Sequence, residues 1–458
     1  MKIRAITVGE SEAILEQQES HFLDFKSARI APAKLSRSLA AFANADGGEL
    51  FVGIEDSKYR GDRWDGYSDP EAANNLLQIL NLRFPIGTAF QYEFLSCPSR
   101  NGLVLHCEIF KNSSVWSDTE SQVYIRHGAQ SLKVTDREAV KRIEYAKGIV
   151  SFEDEKTSVG PEFLIDSEIL SNFVDNIVPT ATPGNWLSKQ RLIIDEKATV
   201  AGVVLFAEEP QILLPKAAVK VYRYKTSDEA TRDSLEAQPE TIEGCAYEQI
   251  RKSVQRVVTI VEGIPVMKDA GFEKISYPDN ALHEIITNAI IHRDYSIADD
   301  VHVVVYNNRI EISSLGRLPA HITTQNILSE RFARNQKIVR LLNKFPDPPN
   351  KDVGEGLNTA FEAMRGLNLK DPEISESDAR VIVTLRHERL AQPETVIVDY
   401  LRRNTSINNS KAREITHIGS EAKITKIFSK LKKNGIVQRT SATAKVKAAY
   451  ERGPKFPA

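Results

Sequence analysis

The 458-residue sequence predicts an α+β multidomain protein, and three observations carry the prediction. Helix-like and strand-like stretches are interleaved as far as residue 388. From Gln392 the pattern turns helical and the charge changes sign: residues 391–458 hold 14 Lys and Arg against 5 Asp and Glu, a balance of +9 that leaves −11 on the rest. Length is the third, since domains of roughly 100 to 200 residues divide such a chain into about three or four. The divisions expected are 10–145, a connector α/β segment over 161–275, a third domain over 276–388 and a basic tail over 391–458.

Composition sets outer limits. With 41% hydrophobic and 27% charged residues, every domain has the apolar material for a core. Cys97, Cys107 and Cys245 form no Cys-x-x-Cys pair and leave one unpaired, which argues against a disulfide framework or zinc cluster and fits a reducing cytoplasm. Glu10, Glu12 and Glu16 stand where a signal peptide would carry its apolar core. No apolar run approaches the ~20 residues of a bilayer span, so no membrane partner is expected. The net charge of −2 points to no partner, but the basic tail is the electrostatic candidate for nucleic acid.

In order, residues 10–20 read as an amphipathic helix and 19–26 alternate like a strand. A helix of small residues over 34–44 is closed by Asp46-Gly47-Gly48, whose glycines make the entry turn of a second strand over 49–56. A helix over 70–82, strands over 90–95 and 103–109 and a closing helix over 136–145 complete an α+β unit. Polar residues 148–160 read as a linker. In the connector, 199–206 and 217–224 read as strands and 246–260 as a helix, while Lys220, Arg223 and Lys225 read as a solvated strand face.

The stretch Tyr277–Tyr295 organises the chemistry. Glu284, Asn288 and His292 are four apart, so on a helix they stack along one polar face, while Leu282, Ile285, Ile286, Ala289 and Ile290 supply the buried face. A carboxylate one turn from an amide oxygen can hold a water and a divalent cation together, which suits phosphoryl chemistry on a nucleotide. A surface i,i+4 polar pair is the plainer alternative. Downstream, 301–306 and 309–313 read as a hairpin around Asn307-Asn308, residues that tolerate left-handed backbone. A lid over 318–353 offers Arg331, Arg334 and Lys337 to phosphates, and 380–386 adds a last strand.

In the tail, helices are expected over 394–403, after Asn408-Asn409-Ser410, and over 420–435. Ile424, Ile427, Phe428 and Leu431 make a buried stripe in the last of them, with Lys423, Lys426, Lys430 and Lys433 outside. Residues 436–439 and 445–450 could pair as a wing.

Glu284-x-x-x-Asn288-Ala289 with His292-Arg293-Asp294-Tyr295, then Asn308 to Pro319, then Asp352 to Leu357, resemble in order the three motifs of GHKL-type ATP-binding domains, in the branch carried by bacterial Schlafen AlbA-type regulators. The resemblance implies a sheet with helices on one side, an α/β sandwich that binds ATP and Mg²⁺ beneath a mobile lid. It implies Asn288 near the metal and Glu284 polarising water, with His292, Arg293, Asp294, Gly316, Gly354, Gly356 and Arg334 around the nucleotide. Gly354 and Gly356 would let the backbone approach phosphates at a helix start. There is one departure: such domains usually place an aspartate in the second motif to receive the adenine amino group, and Ser313-Ser314-Leu315-Gly316 has no carboxylate. Hydrolysis stays open, because a nucleotide can act purely as a ligand that shifts an equilibrium.

Asp24-Phe25-Lys26, Ala41-Phe42-Ala43-Asn44, the strand Gly47 to Gly53 and Val123 to Gly128 resemble the Schlafen AlbA-type domain over about 10–145. In nuclease members a trio of carboxylates holds Mg²⁺ or Mn²⁺; Glu19, Asp24 and Asp56 sit at matching places, with Lys26 beside them. In regulatory members the fold only binds nucleic acid, which would use Lys26, Arg29, Lys34, Arg37 and Arg126. The tail resembles a winged helix-turn-helix whose last helix enters a major groove while its lysines meet phosphates, with dimerisation as the alternative use. The expected function is an ATP-binding regulator whose nucleotide state controls engagement of DNA or RNA. The alternatives are an ATP-gated, metal-dependent nuclease in antiviral defence and a nucleotide-dependent assembling scaffold. A homo-oligomer is expected, since GHKL domains often pair when liganded.

Overall fold

The computed structural model describes every residue except 1, 60, 85, 86, 88, 269, 270, 275, 276, 350–355, 378, 388–392, 417, 419, 441–448 and 458, with backbone alone at 79, 82, 83, 265–268, 271–274 and 395. Sheets and helices mix in the α+β manner expected, and the chain divides into two compact units, residues 1–363 with 372–385 and residues 364–371 with 386–458.

The first unit holds two main sheets. One is five-stranded, in the order Ile3–Ala5, Phe90–Ser96, Val104–Ile109, Gly48–Val52, Leu23–Lys26. Helix Pro32–Asn44 packs on it because small residues allow close approach: Leu35, Leu39, Ala40, Phe42 and Ala43 join Leu50, Val52, Phe90 and Phe94 in one core. Gly47, at φ +78°, makes the turn into Gly48–Val52, where a Cβ would collide with the Ile109 carbonyl. The hairpin Val123–His127 and Gln130–Val134 lies against the same helix.

The other sheet is six-stranded, in the order Glu240–Ile242, Val219–Arg223, Val301–Val305, Arg309–Leu315, Arg380–Arg386, Glu373–Glu376. Val219–Arg223 runs parallel to Val301–Val305, so the boundary drawn at residue 275 passes through one sheet. Helices Ala246–Glu262 and Asp279–Ile291 pack on each other and on this sheet. Alternation along Val301–Val305 buries Val301, Val303 and Val305 and leaves His302 and Val304 half-buried on the other face.

Several expectations are corrected. The first helix is Val8–Glu16, fixed by a capping box in which Thr7 and Glu10 exchange hydrogen bonds. The run Thr199 to Phe206 is helix Val200–Phe206, with Thr199 as its cap. Residues 148–160 are no free linker: buried Glu153 accepts from the amides of Lys337 at 2.8 Å and Ile338 at 2.9 Å, at the start of helix Gln336–Leu342. A carboxylate there meets unpaired first-turn amides, which is why a polar segment packs inward. Neither Asn307 nor Asn308 adopts positive φ. Their turn is held from outside, with Arg223 Nη2 donating to Asn307 Oδ1 at 2.5 Å.

The second unit contains helices Pro393–Arg403, Asn409–Thr416 and Glu421–Lys433 around Ile397, Leu401, Ile424, Phe428 and Leu431. The tail is not all-helical before its wing: Ser406–Asn408 and Val437–Arg439 flank Ala449–Arg452 in a three-stranded sheet. Phe428 stacks on Tyr450, with centroids 4.1 Å apart, which ties the last helix to that sheet. Wing residues 445–448 lie outside the described residues.

Candidate functional site

Helix Asp279–Ile291 builds the polar row that its spacing predicts. Ile285, Ile286 and Ile290 are buried, and Glu284, Asn288 and His292 line a cavity of about 310 Å³. Ile312, Ser314, Val381 and Val383 contribute from the sheet, and Arg317, Leu318, Arg331 and Phe332 from the segment that follows Gly316. Mostly apolar walls with a few polar groups are what a small organic ligand requires.

Asn288 Nδ2 donates to Glu284 Oε1 at 2.8 Å. That bond leaves the amide Oδ1 as a hard donor beside a carboxylate, a set that fits Mg²⁺. Burial raises the Glu284 carboxyl above its ordinary range, against the opposing pull of the Asn288 hydrogen bond. Gly356 opens helix Gly356–Gly366 at the same place; a Cβ there would lie 3.0 Å from Glu284 Oε1. A helix start beside a carboxylate and an amide oxygen is a kind of place where a phosphate is received. Gly354 lies outside the described residues.

His292 stands at the far end of the row, just past the helix. Its Nδ1 is enclosed and makes no hydrogen bond among the described residues. Burial and the charge of Arg334 hold its pKa down to about 4, so the ring is neutral at pH 7.

Arg293, Asp294 and Arg334 are absent from the cavity lining. Buried Arg293 donates to the carbonyls of Asp299 at 2.8 Å and Lys216 at 3.1 Å and lies over the Tyr295 ring. Asp294 accepts from Arg334 Nη1 at 3.1 Å and from the Ser296 amide at 3.0 Å. Arg334 also donates to the Arg317 carbonyl. These bonds hold the three side chains within the protein, with Asp294 and Arg334 forming a charged brace behind Gly316, although the Nε atoms of Arg293 and Arg334 have no hydrogen-bond partner among the described residues. At φ +88°, Gly316 presses against that brace: a Cβ would sit 2.7 Å from the Asp294 Cβ. Lys337 is turned away as well, paired with Asp154.

In the first sheet, Asp24 is 1% exposed and shared between two cations, Lys26 Nζ at 2.5 Å and Arg126 Nη1 at 3.1 Å. Glu19 is close by: burial, then Asp24, raises its carboxyl. Asp56 is exposed and accepts from the Lys58 amide. Among the described residues, Glu19, Asp24 and Asp56 do not form a group of three with ligand atoms within metal-binding reach. Asp299, Asp300 and His302 do, but Arg380, Lys216 and Lys220 already pair with those carboxylates. Arg126 is buried over the Phe42 ring, Arg29 pairs with Asp65 at 2.6 Å, and Arg37 pairs with Asp118 and Glu120.

One cluster was invisible in the sequence. Asp46, from the Asp46-Gly47-Gly48 turn, accepts from His21 Nε2 at 2.7 Å and Arg317 Nη1 at 2.5 Å, with Lys111 Nζ at 3.5 Å. Burial alone would raise this carboxyl, but the His21 hydrogen bond and the two cationic side chains outweigh it and hold it at about 2. Glu376 balances the cations: its Oε1 accepts from Arg317 Nε at 3.2 Å and the Leu318 amide at 2.8 Å. The rim of the cavity is thereby bonded to the first sheet. Phe332, in the same lining, packs on Gly148 at the end of helix Arg137–Lys147.

In the second unit, Lys423, Lys426, Lys430 and Lys433 are all exposed along Glu421–Lys433, opposite buried Ile424, Phe428 and Leu431. Lys430 pairs with Glu394 at 2.9 Å.

Residues 19–135 match the family model described as Schlafen, AlbA_2, and residues 298–385 match the one described as "Putative ATP-dependent DNA helicase recG C-terminal". The second match begins after the helix that carries Glu284 and Asn288. A solved structure, the DIP2311 protein from Corynebacterium diphtheriae, aligns at 19% identity over 97% of this chain and 96% of its own, with a TM-score of 0.43. No curated protein matches the chain. Among the described residues, no helix is long and apolar enough to cross a membrane. The two family matches show that the chain carries an AlbA-type domain within residues 19–135 and an ATPase-like domain within residues 298–385.

Proposed function

We propose that the chain is an ATP-binding regulator whose nucleotide state controls its engagement of DNA or RNA. The carrying observation is Arg317, which lines the cavity and bonds to Asp46 of the AlbA-type domain. A ligand that moves this rim also acts on the AlbA-type domain, because Arg317 is held between Asp46 of that domain and Glu376 of the six-stranded sheet. ATP is the reading of the cavity itself: the Glu284–Asn288 pair with Mg²⁺ and the start of Gly356–Gly366 take the phosphates, and the apolar walls take the base. In the second unit, the order helix, strand, two helices, two strands supports a winged helix-turn-helix, with Glu421–Lys433 as its groove-binding helix and its lysines on phosphates.

Cleavage is the weaker reading, since Asp24 is neutralised by Lys26 and Arg126 and Asp56 stands apart.

The test is fluorescence anisotropy of labelled duplex DNA and single-stranded RNA with and without ATP and Mg²⁺. Wild type should change its affinity for one of them by about 5- to 150-fold when ATP is added, the range of typical coupling energies. Asn288→Ala should bind ATP weakly and lose the change. Equal nucleic-acid affinity with and without saturating ATP would overturn the proposal.

A further inference from the structure

The proposed nucleotide site leaves open which base it accepts, and the inference rests on that site being a nucleotide site. Phosphates belong where Gly356 meets Glu284 and Asn288. His292 lies eight residues beyond Glu284, about 12 Å along a helix rising 1.5 Å per residue, and so at the other end of the cavity. That end is lined by Leu315 and Gly316, with the Asp294 amide donating to the Leu315 carbonyl at 2.8 Å. Ser314 Oγ is occupied as a donor to the Ala289 carbonyl at 2.6 Å. Among the described residues, the carboxylates in the lining are Glu284, at the phosphate end, and Glu330, on the segment after Gly316. Asp294 stands behind Gly316, bound to Arg334 and Ser296.

We propose that His292 reads the base, and that its neutral imidazole admits purine nucleotides with either a 6-amino or a 6-oxo group. A carboxylate only accepts hydrogen bonds, so it selects the amino group of adenine. A neutral imidazole offers a lone pair at one nitrogen and an N–H at the other, and exchanging tautomers exchanges what the ligand meets. A partner on one nitrogen normally fixes that choice; here Nδ1 has none among the described residues, so both tautomers remain available. Burial keeps the ring from taking a second proton, which would turn it into a donor at both nitrogens.

Full-length protein would be titrated calorimetrically with ATP and with GTP, each with Mg²⁺, after melting curves confirm that every variant is folded. Wild type is expected to bind the two within about tenfold of each other, whereas a site able to bond only one edge discriminates by about 10⁴-fold. His292→Asp, restricted to accepting, should shift the ratio toward ATP by about a hundredfold or more. His292→Gln, whose amide both donates and accepts, should keep the wild-type ratio, and His292→Leu should weaken both nucleotides alike. A wild-type preference for ATP above about a hundredfold, or a ratio unmoved in His292→Asp, would overturn the inference while leaving the nucleotide site standing. If wild type binds neither nucleotide, the site reading falls and this inference falls with it.

Discussion

A histidine enclosed where it cannot hold a proton makes stability depend on pH, and the sign follows from where the two states titrate. His292 is held at about 4 in the folded chain against an ordinary 6.5, so between these values the unfolded chain binds a proton that the folded chain does not. Its contribution is complete above pH 6.5 and is lost as pH falls to about 4, amounting to about 3 kcal/mol over that window. In His292→Leu, urea midpoints measured from pH 7 to pH 4.5 should fall less steeply than in wild type. Parallel pH dependences would mean that the imidazole is solvated after all. His292 nevertheless lines the cavity, and its enclosed Nδ1 has no hydrogen-bond partner among the described residues to fix the tautomer.

At the scale of elements, the helix Asp279–Ile291 was legible because its faces differ; its polar row and apolar stripe declare a 3.6-residue period. Helix Val200–Phe206 was not, because all seven residues are buried and a uniformly apolar run carries no period. What decides it is Thr199, fully buried, whose Oγ1 accepts from the Gly202 amide at 3.3 Å and donates to the Leu192 carbonyl at 3.1 Å. Thr199→Val keeps the shape and removes both bonds, and should cost about 1 to 3 kcal/mol in chemical denaturation. A loss below about 0.5 kcal/mol would show that packing alone sets the helix. Long-range pairing was equally hidden. Nothing local in Val219–Arg223 says that its parallel neighbour is Val301–Val305, since register depends on which face each strand buries in the assembled sheet. The site shows the same division. Glu284, Asn288, His292, Gly316 and Gly356 line one cavity, while Arg293, Asp294 and Arg334 turn inward because each finds a buried partner that sequence spacing cannot reveal.

In the whole molecule, Asp46 is the point where the AlbA-type domain meets the rim of the cavity. Its carboxylate is shared by His21, Lys111 and Arg317, and Glu376 restrains the same Arg317 from the far edge of the six-stranded sheet. The two sheets are thus joined by a partly buried group of charges, so separation would leave Asp46 on one side and Arg317 on the other without their partners. Such a contact holds two arrangements apart more sharply than an apolar one, which can slide. If nucleotide acts through it, Asp46→Asn should leave ATP affinity nearly unchanged, because Asp46 is absent from the cavity lining. The same variant should reduce the ATP-dependent change in nucleic-acid affinity to about twofold or less, and by reciprocity the effect of nucleic acid on ATP affinity should shrink by the same factor. Calorimetric ATP titrations with and without a saturating duplex measure both halves of that statement. An Asp46→Asn protein that retains wild-type coupling would place the connection elsewhere, with the packing of Phe332 against Gly148 the next contact to disrupt.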